Sequence, residues 1–191
     1  MTQIAAEAVS SVQEISAAER EFASNYLAST RDALVEALSG LSDSQWKFRS
    51  APDRWSIAEI MEHVAFIEGR IQEIIGNLKE APADLPMREV KQVDEFVLYM
   101  IPSRELKVRA PERIRPTGRW AGPEAREVFL NGRKKTFELL AATPHLRGRV
   151  LPHPIFGAWD GYQWILAAAG HAARHTSQIC ELKADPKFPA A

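Results

Sequence analysis

Apolar residues recur at helical spacing in four stretches of this chain of 191 residues. In the first, Phe22, Tyr26, Thr30, Ala33 and Ala37 share one stripe, which predicts a helix from about Ala17 to Leu38, ended by Gly40. In the second, Ile57, Ile60, Val64, Ile67, Ile71, Ile74 and Leu78 build a stripe behind a capping box of Ser56 and Glu59. The third opens at Pro123, a residue suited to a first helical turn, and runs to about Ala142 before Thr143-Pro144. The fourth takes Asp160 as its N-cap and continues to about Leu182.

The links are unequal. Residues 40 to 55 form a polar connection with a helical turn at "SDSQW", whereas residues 80 to 121 are long and rich in Pro and Arg, with a short helix predicted around Val90 to Tyr99. So long a link is unusual in a compact domain unless it packs, so a crossover is expected. A 20-residue helix is ~30 Å long, a span that ~9 extended residues cover. The link can therefore return along the whole molecule and leave the second and third helices parallel. Residues 143 to 159 could cross as well, so spacing alone leaves the topology open. Only Val108 to Ile114 alternates as a strand would, and prolines interrupt it. The fold class is all-α, a four-helix bundle, as one domain over residues 16–183. The ends, 1–15 and 184–191, are expected to be loose.

Composition narrows the function. Hydrophobic residues make up 46% and charged residues 26%, an ordinary balance for a soluble domain with its own core. Twenty-four Lys and Arg nearly cancel 25 Asp and Glu, giving a net charge of −1 without the basic excess of a nucleic-acid binder. No run approaches the ~18 apolar residues of a membrane span, and the N-terminal residues lack a secretory pattern. A single cysteine, Cys180, excludes an internal disulfide framework and fits a reducing compartment. A cytoplasmic protein is expected, with no membrane or nucleic-acid partner.

The chemistry concentrates on "HAARH", residues 171 to 175. On a wheel of about 100° per residue, Ile165, Ala168, Ala172, Thr176, Ile179 and Leu182 face the core. Gln163, Ala167, Gly170, Arg174, Ser177 and Glu181 make a polar or small face. His171 and His175 lie on the seam. His63 falls on the equivalent seam of the second helix, with Glu62, Gly69 and Glu73 turned away from the core. Two readings fit: ordinary helix histidines, or ligands of one metal ion. An i, i+4 pair sets two imidazoles on one face, and a third from an adjacent helix completes a facial set. Three neutral imidazoles leave a divalent charge uncompensated and a position open, as catalytic rather than structural sites do. A water or thiol there loses its proton more readily. The motif is not a zincin HExxH, because Ala172 stands in the place of the glutamate.

Three segments in order, "RWSIAEIMEHV" (54–64), "HPIFGAWDGYQWI" (153–165) and "HAARHTSQI" (171–179), resemble the DinB-like superfamily of metal-binding four-helix bundles. The resemblance runs from the first helix to about Leu182. It implies an up-down-down-up bundle with a long crossover between the second and third helices, and His63, His171 and His175 as ligands of zinc or nickel. It also implies a homodimer, and a reaction in which a low-molecular-weight thiol or water attacks a small-molecule substrate by S-transfer or hydrolysis. The alternatives are a non-catalytic dimer that binds metal or a small ligand, and a structural dimer with vestigial histidines. The Arg-bearing insert, 80–121, departs from the family and leaves the substrate unspecified.

Several residues keep two readings. Gln178, one turn beyond His175, orients a metal ligand or faces solvent. Glu59 is a base near the ion or only a cap, and Trp164 is a pocket wall or core. His153 is an extra ligand or part of the entry turn of the last helix, while His145 is expected to be exposed. Arg174 is expected at the surface and Cys180, opposite His171, in the core. Between Arg104 and Arg119, six basic residues outnumber two acidic ones beside Trp120. That stretch reads as an anion site, a solvated loop or a nucleic-acid contact.

Overall fold

The computed structural model describes residues 14–82, 89–105 and 109–190. Six α-helices carry most of them: α1 (Ala17–Ala37), α2 (Asp43–Lys47), α3 (Ile57–Gly76), α4 (Val90–Met100), α5 (Gly122–Ala142) and α6 (Gly161–Lys183). A small antiparallel hairpin, β1 (Val150–His153) and β2 (Gly157–Asp160), precedes α6. Three long helices begin at reciprocal caps. Ser16 with Glu19, Ser56 with Glu59 and Asp160 with Gln163 each satisfy two of the N–H groups a helix start leaves without partners. α5 instead starts with Pro123 in its first turn, which has no N–H to satisfy.

α1 packs on α6 and α5, and α3 packs on α5 and α6, so the four long helices form a closed ring. One core cluster holds Leu27, Ile71, Ile75, Ile165 and Leu166; the other holds Leu34, Ile57, Ile60, Val64, Phe129 and Ile179. Each such side chain contributes about 1.5–3 kcal/mol when fully removed from water. Two arginines tie the ring together. Arg133 on α5 is fully buried. It donates to Glu68 Oε2 on α3 (2.9 Å), to Leu27 O (3.1 Å) and Thr30 Oγ1 (3.3 Å) on α1, and to Ala168 O on α6 (3.1 Å). Arg147 joins Glu19, Asp94 and Asp160, thereby fastening α1, α4 and the α6 cap.

Two expectations fail here. The first half of α6 is buried on all sides, including its polar or small face: Gln163, Ala167 and Gly170 are covered. α4, from the insert, packs there. Gln163 Nε2 donates to Asp94 Oδ1 at 2.7 Å. A Cβ on Gly170 would come 3.2 Å from both Ile101 Cγ2 and Pro102 Cδ, so the small residue sets how closely the insert seats. Second, a short hairpin forms over residues 150–160, where only a connection was expected. No strand forms over 109–114, where Glu112–Ile114 is a 3-10 turn, and Val108 lies outside the described residues. The hairpin pairs Val150 with Asp160 and His153 with Gly157. Pro152 is tolerated because a two-stranded sheet leaves each strand one open edge.

Both ends of the described chain make contacts. Ile15 is buried and its N–H donates to Pro144 O at 3.1 Å, while residues 1–13 of the expected loose end lie outside the described residues. At the other end Gln45 Nε2 donates to Pro189 O at 2.9 Å, and the Phe188 ring meets Phe48 edge-on. Among the described residues no helix is long and apolar enough to cross a membrane.

Candidate metal centre

His63 sits in the second turn of α3, and His171 and His175 are one turn apart on α6, the helix against which α3 packs. The seam positions of the two helices therefore meet. Each of the three histidines offers a ring nitrogen, and these nitrogens lie within 4.8 Å of one another. His63 Nε2 and His171 Nε2 are 3.1 Å apart. Two nitrogens each ~2.0–2.1 Å from a tetrahedral zinc ion would be about 3.3 Å apart, so the observed pair fits a shared cation.

The far side of the rings is fixed as well. His63 Nδ1 is 2.8 Å from the carbonyl oxygen of Ile114, and His175 Nδ1 is 2.9 Å from Gln178 Oε1. Both partners are acceptors, so each Nδ1 carries the proton and donates it. Each Nε2 then keeps its lone pair for the cluster. The Trp55 ring packs against His63 at 5.0 Å between centroids. Burial pushes His63 down to about 4. His171 and His175 are also held well below the ordinary histidine range, by burial first and then by neighbouring histidines. All three are neutral at physiological pH and able to donate to a cation.

The insert supplies an element that the helical wheel misplaces. Glu62, expected on the outer side of its helix, is 1% exposed. Its carboxylate accepts from the N–H groups of Thr117 (2.8 Å) and Gly118 (2.9 Å) and from Arg119 Nη1 (2.9 Å). Burial alone would raise this carboxyl, but hydrogen bonds from the 117–119 backbone outweigh it and hold the group below the usual range. Gly118 has φ +79°, a conformation glycine adopts without strain. Glu62 thus anchors the segment whose Ile114 carbonyl steadies His63. No local sequence signal marks this, because the partners lie 55 to 57 residues away and two of them are backbone amides.

A cavity of about 520 Å³ opens onto the three histidines and is lined also by Gln178, Trp55 and Ile114. Glu59 is engaged in its cap with Ser56 and paired with Arg49, and Trp164 is buried in the core against Trp159 and His153; neither lines the cavity. His153 stands outside the three-histidine group, its Nδ1 accepting from the N–H groups of Ile155 and Phe156 in the hairpin turn, while its ring reaches the cavity wall. Arg174 is half-buried at the cavity rather than at the open surface. Cys180 is exposed, not in the core. His145 is exposed as expected.

This is a helical scaffold with a three-imidazole metal-type site, and the comparisons agree with it. Residues 26–179 match the DinB superfamily, and the chain belongs to that family. The uncharacterized protein YuaE of Bacillus subtilis (strain 168) is 31% identical over 150 residues, which cover 76% of this chain and 88% of that protein.

Proposed function

We propose that this protein is a metal-dependent enzyme acting on a small molecule, with His63, His171 and His175 holding one divalent cation, zinc or nickel. The supporting observation is the convergence of three neutral imidazole nitrogens on one reachable cavity. Such a cation supplies Lewis acidity, which lowers the pKa of a thiol or water at its open position. The chain's own residues do the rest. Ile114 O and Gln178 Oε1 hold the tautomer of two donors, Trp55 shields one face of His63, and Glu62 fixes the insert over the site. S-transfer from a low-molecular-weight thiol is the leading reaction and hydrolysis the second. Family membership supports an up-down-down-up bundle that works as a cytoplasmic homodimer.

Elemental analysis of protein purified without a histidine tag tests the ligand set. Stoichiometric zinc or nickel is expected in the wild type, with loss of that metal in His63→Ala; metal content unchanged by the substitution overturns the three-histidine site. Thiol-adduct and ester- or amide-cleavage screens, with and without chelator, test the catalysis. Turnover abolished by chelator supports the enzyme, and metal binding without turnover supports the non-catalytic binder.

A further inference from the structure

The lining of the cavity is strongly one-signed. Among its described residues are Arg54, Arg104, Arg109, Arg115 and Arg174, against the two carboxylates of Asp53 and Glu181. Glu181 accepts from Arg104 at Nε (3.0 Å) and Nη2 (2.8 Å), so these two charges cancel within the lining. A chain with net charge −1 therefore gathers a positive excess around one opening. The same lining includes the apolar side chains of Trp55, Ile101 and Phe156.

We infer that this cavity binds an anionic small molecule, its carboxylate or phosphate oxygens taken by the arginines and its carbon skeleton laid against the apolar wall. Guanidinium groups suit this task because they stay charged and present a planar fork of donors to an oxyanion. Arg104, Arg115 and Arg174 are partly buried, and reduced solvent there strengthens the attraction. Anion binding stands on the arginines alone; the anion's role as substrate rests on the metal-site reading above.

The test is calorimetric titration of the full chain, metal-free and zinc-loaded, with two anions and their neutral counterparts: 3-phenylpropionate against 3-phenylpropanamide, and phenyl phosphate against phenol. At least one anion is expected to bind roughly tenfold or more tightly than its neutral counterpart in both forms, and to weaken as salt is raised. The preferred anion identifies the oxyanion type. Arg109→Gln with Arg174→Gln is expected to remove roughly tenfold of that affinity, and the paired Lys substitutions to restore part of it. Arg126→Gln, in an ion pair with Glu127, should change nothing. Equal binding of anion and neutral compound, an advantage indifferent to the Gln pair, or a preference confined to zinc-loaded protein overturns the inference. His171→Ala separates the two readings: it should lose metal and keep the anion.

Discussion

Arg133 and the three histidines are both polar groups enclosed by the long helices, yet they are partnered in opposite ways. Arg133 meets Glu68 at 2.9 Å, and Thr136 Oγ1 donates to the other Glu68 oxygen at 2.6 Å, so the buried charge has its counter-charge inside the cluster. The histidine group contains no carboxylate, and His63 Nε2 faces His171 Nε2 at 3.1 Å rather than an oppositely charged protein partner. A cluster of the first kind is closed and holds helices in register. One of the second kind has no such closure, and its donor set fits a cation. Burial and polarity are shared; only the presence of a built-in counter-charge separates scaffold from site.

Breaking the closed cluster should have the largest effect. Glu68→Ala leaves a guanidinium buried without its partner, and urea unfolding should show a loss of about 3–5 kcal/mol. Metal stoichiometry in the folded fraction should not change. Gln178→Leu probes the histidine side: competition with a chromophoric chelator should show metal affinity down roughly 10–100-fold, with stability nearly unaltered. Next comes Gly118→Ala, which forces a side chain into a left-handed conformation and should destabilise by about 1 kcal/mol. Faster exchange of the amides at positions 117 and 118 would report the loosened hold of Glu62.

The smallest effect concerns pH. Burial lowers His153 to about 4 from the ordinary 6.5. Between these values the unfolded chain binds more protons than the folded one, so the contribution to stability is full above about 6.5 and falls as pH drops toward 4. The urea midpoint of the metal-free protein should follow that slope, and His153→Asn should make it shallower. An unchanged slope would show that His153 accepts a proton without leaving its stack on Trp159.

Helix starts were legible because caps are local: Ser56 with Glu59, and Asp160 as N-cap, need only four residues to recognise. The histidine seam was legible for a similar reason, since helical period alone sets which residues share a face. The packing of α3 on α6, which brings the seams together, is a tertiary fact no period contains. Periodicity also misjudged what a polar or small face means. Ala167 and Gly170 look solvent-facing on a wheel, but they are the flat surface on which the insert lies. The hairpin escaped notice because Pro152, Pro154 and Gly157 hide two four-residue strands that owe their stability to the helices behind them.

Consecutive residues of α3, Glu62 and His63, grip two points of one short stretch of the insert, at 117–119 and at the Ile114 carbonyl. The same stretch contributes Ile114 and Arg115 to the cavity wall. Remodelling the wall to suit a new guest therefore tugs on the imidazole beneath it. Under the proposed function, guest preference and donor strength would therefore be coupled through this one stretch.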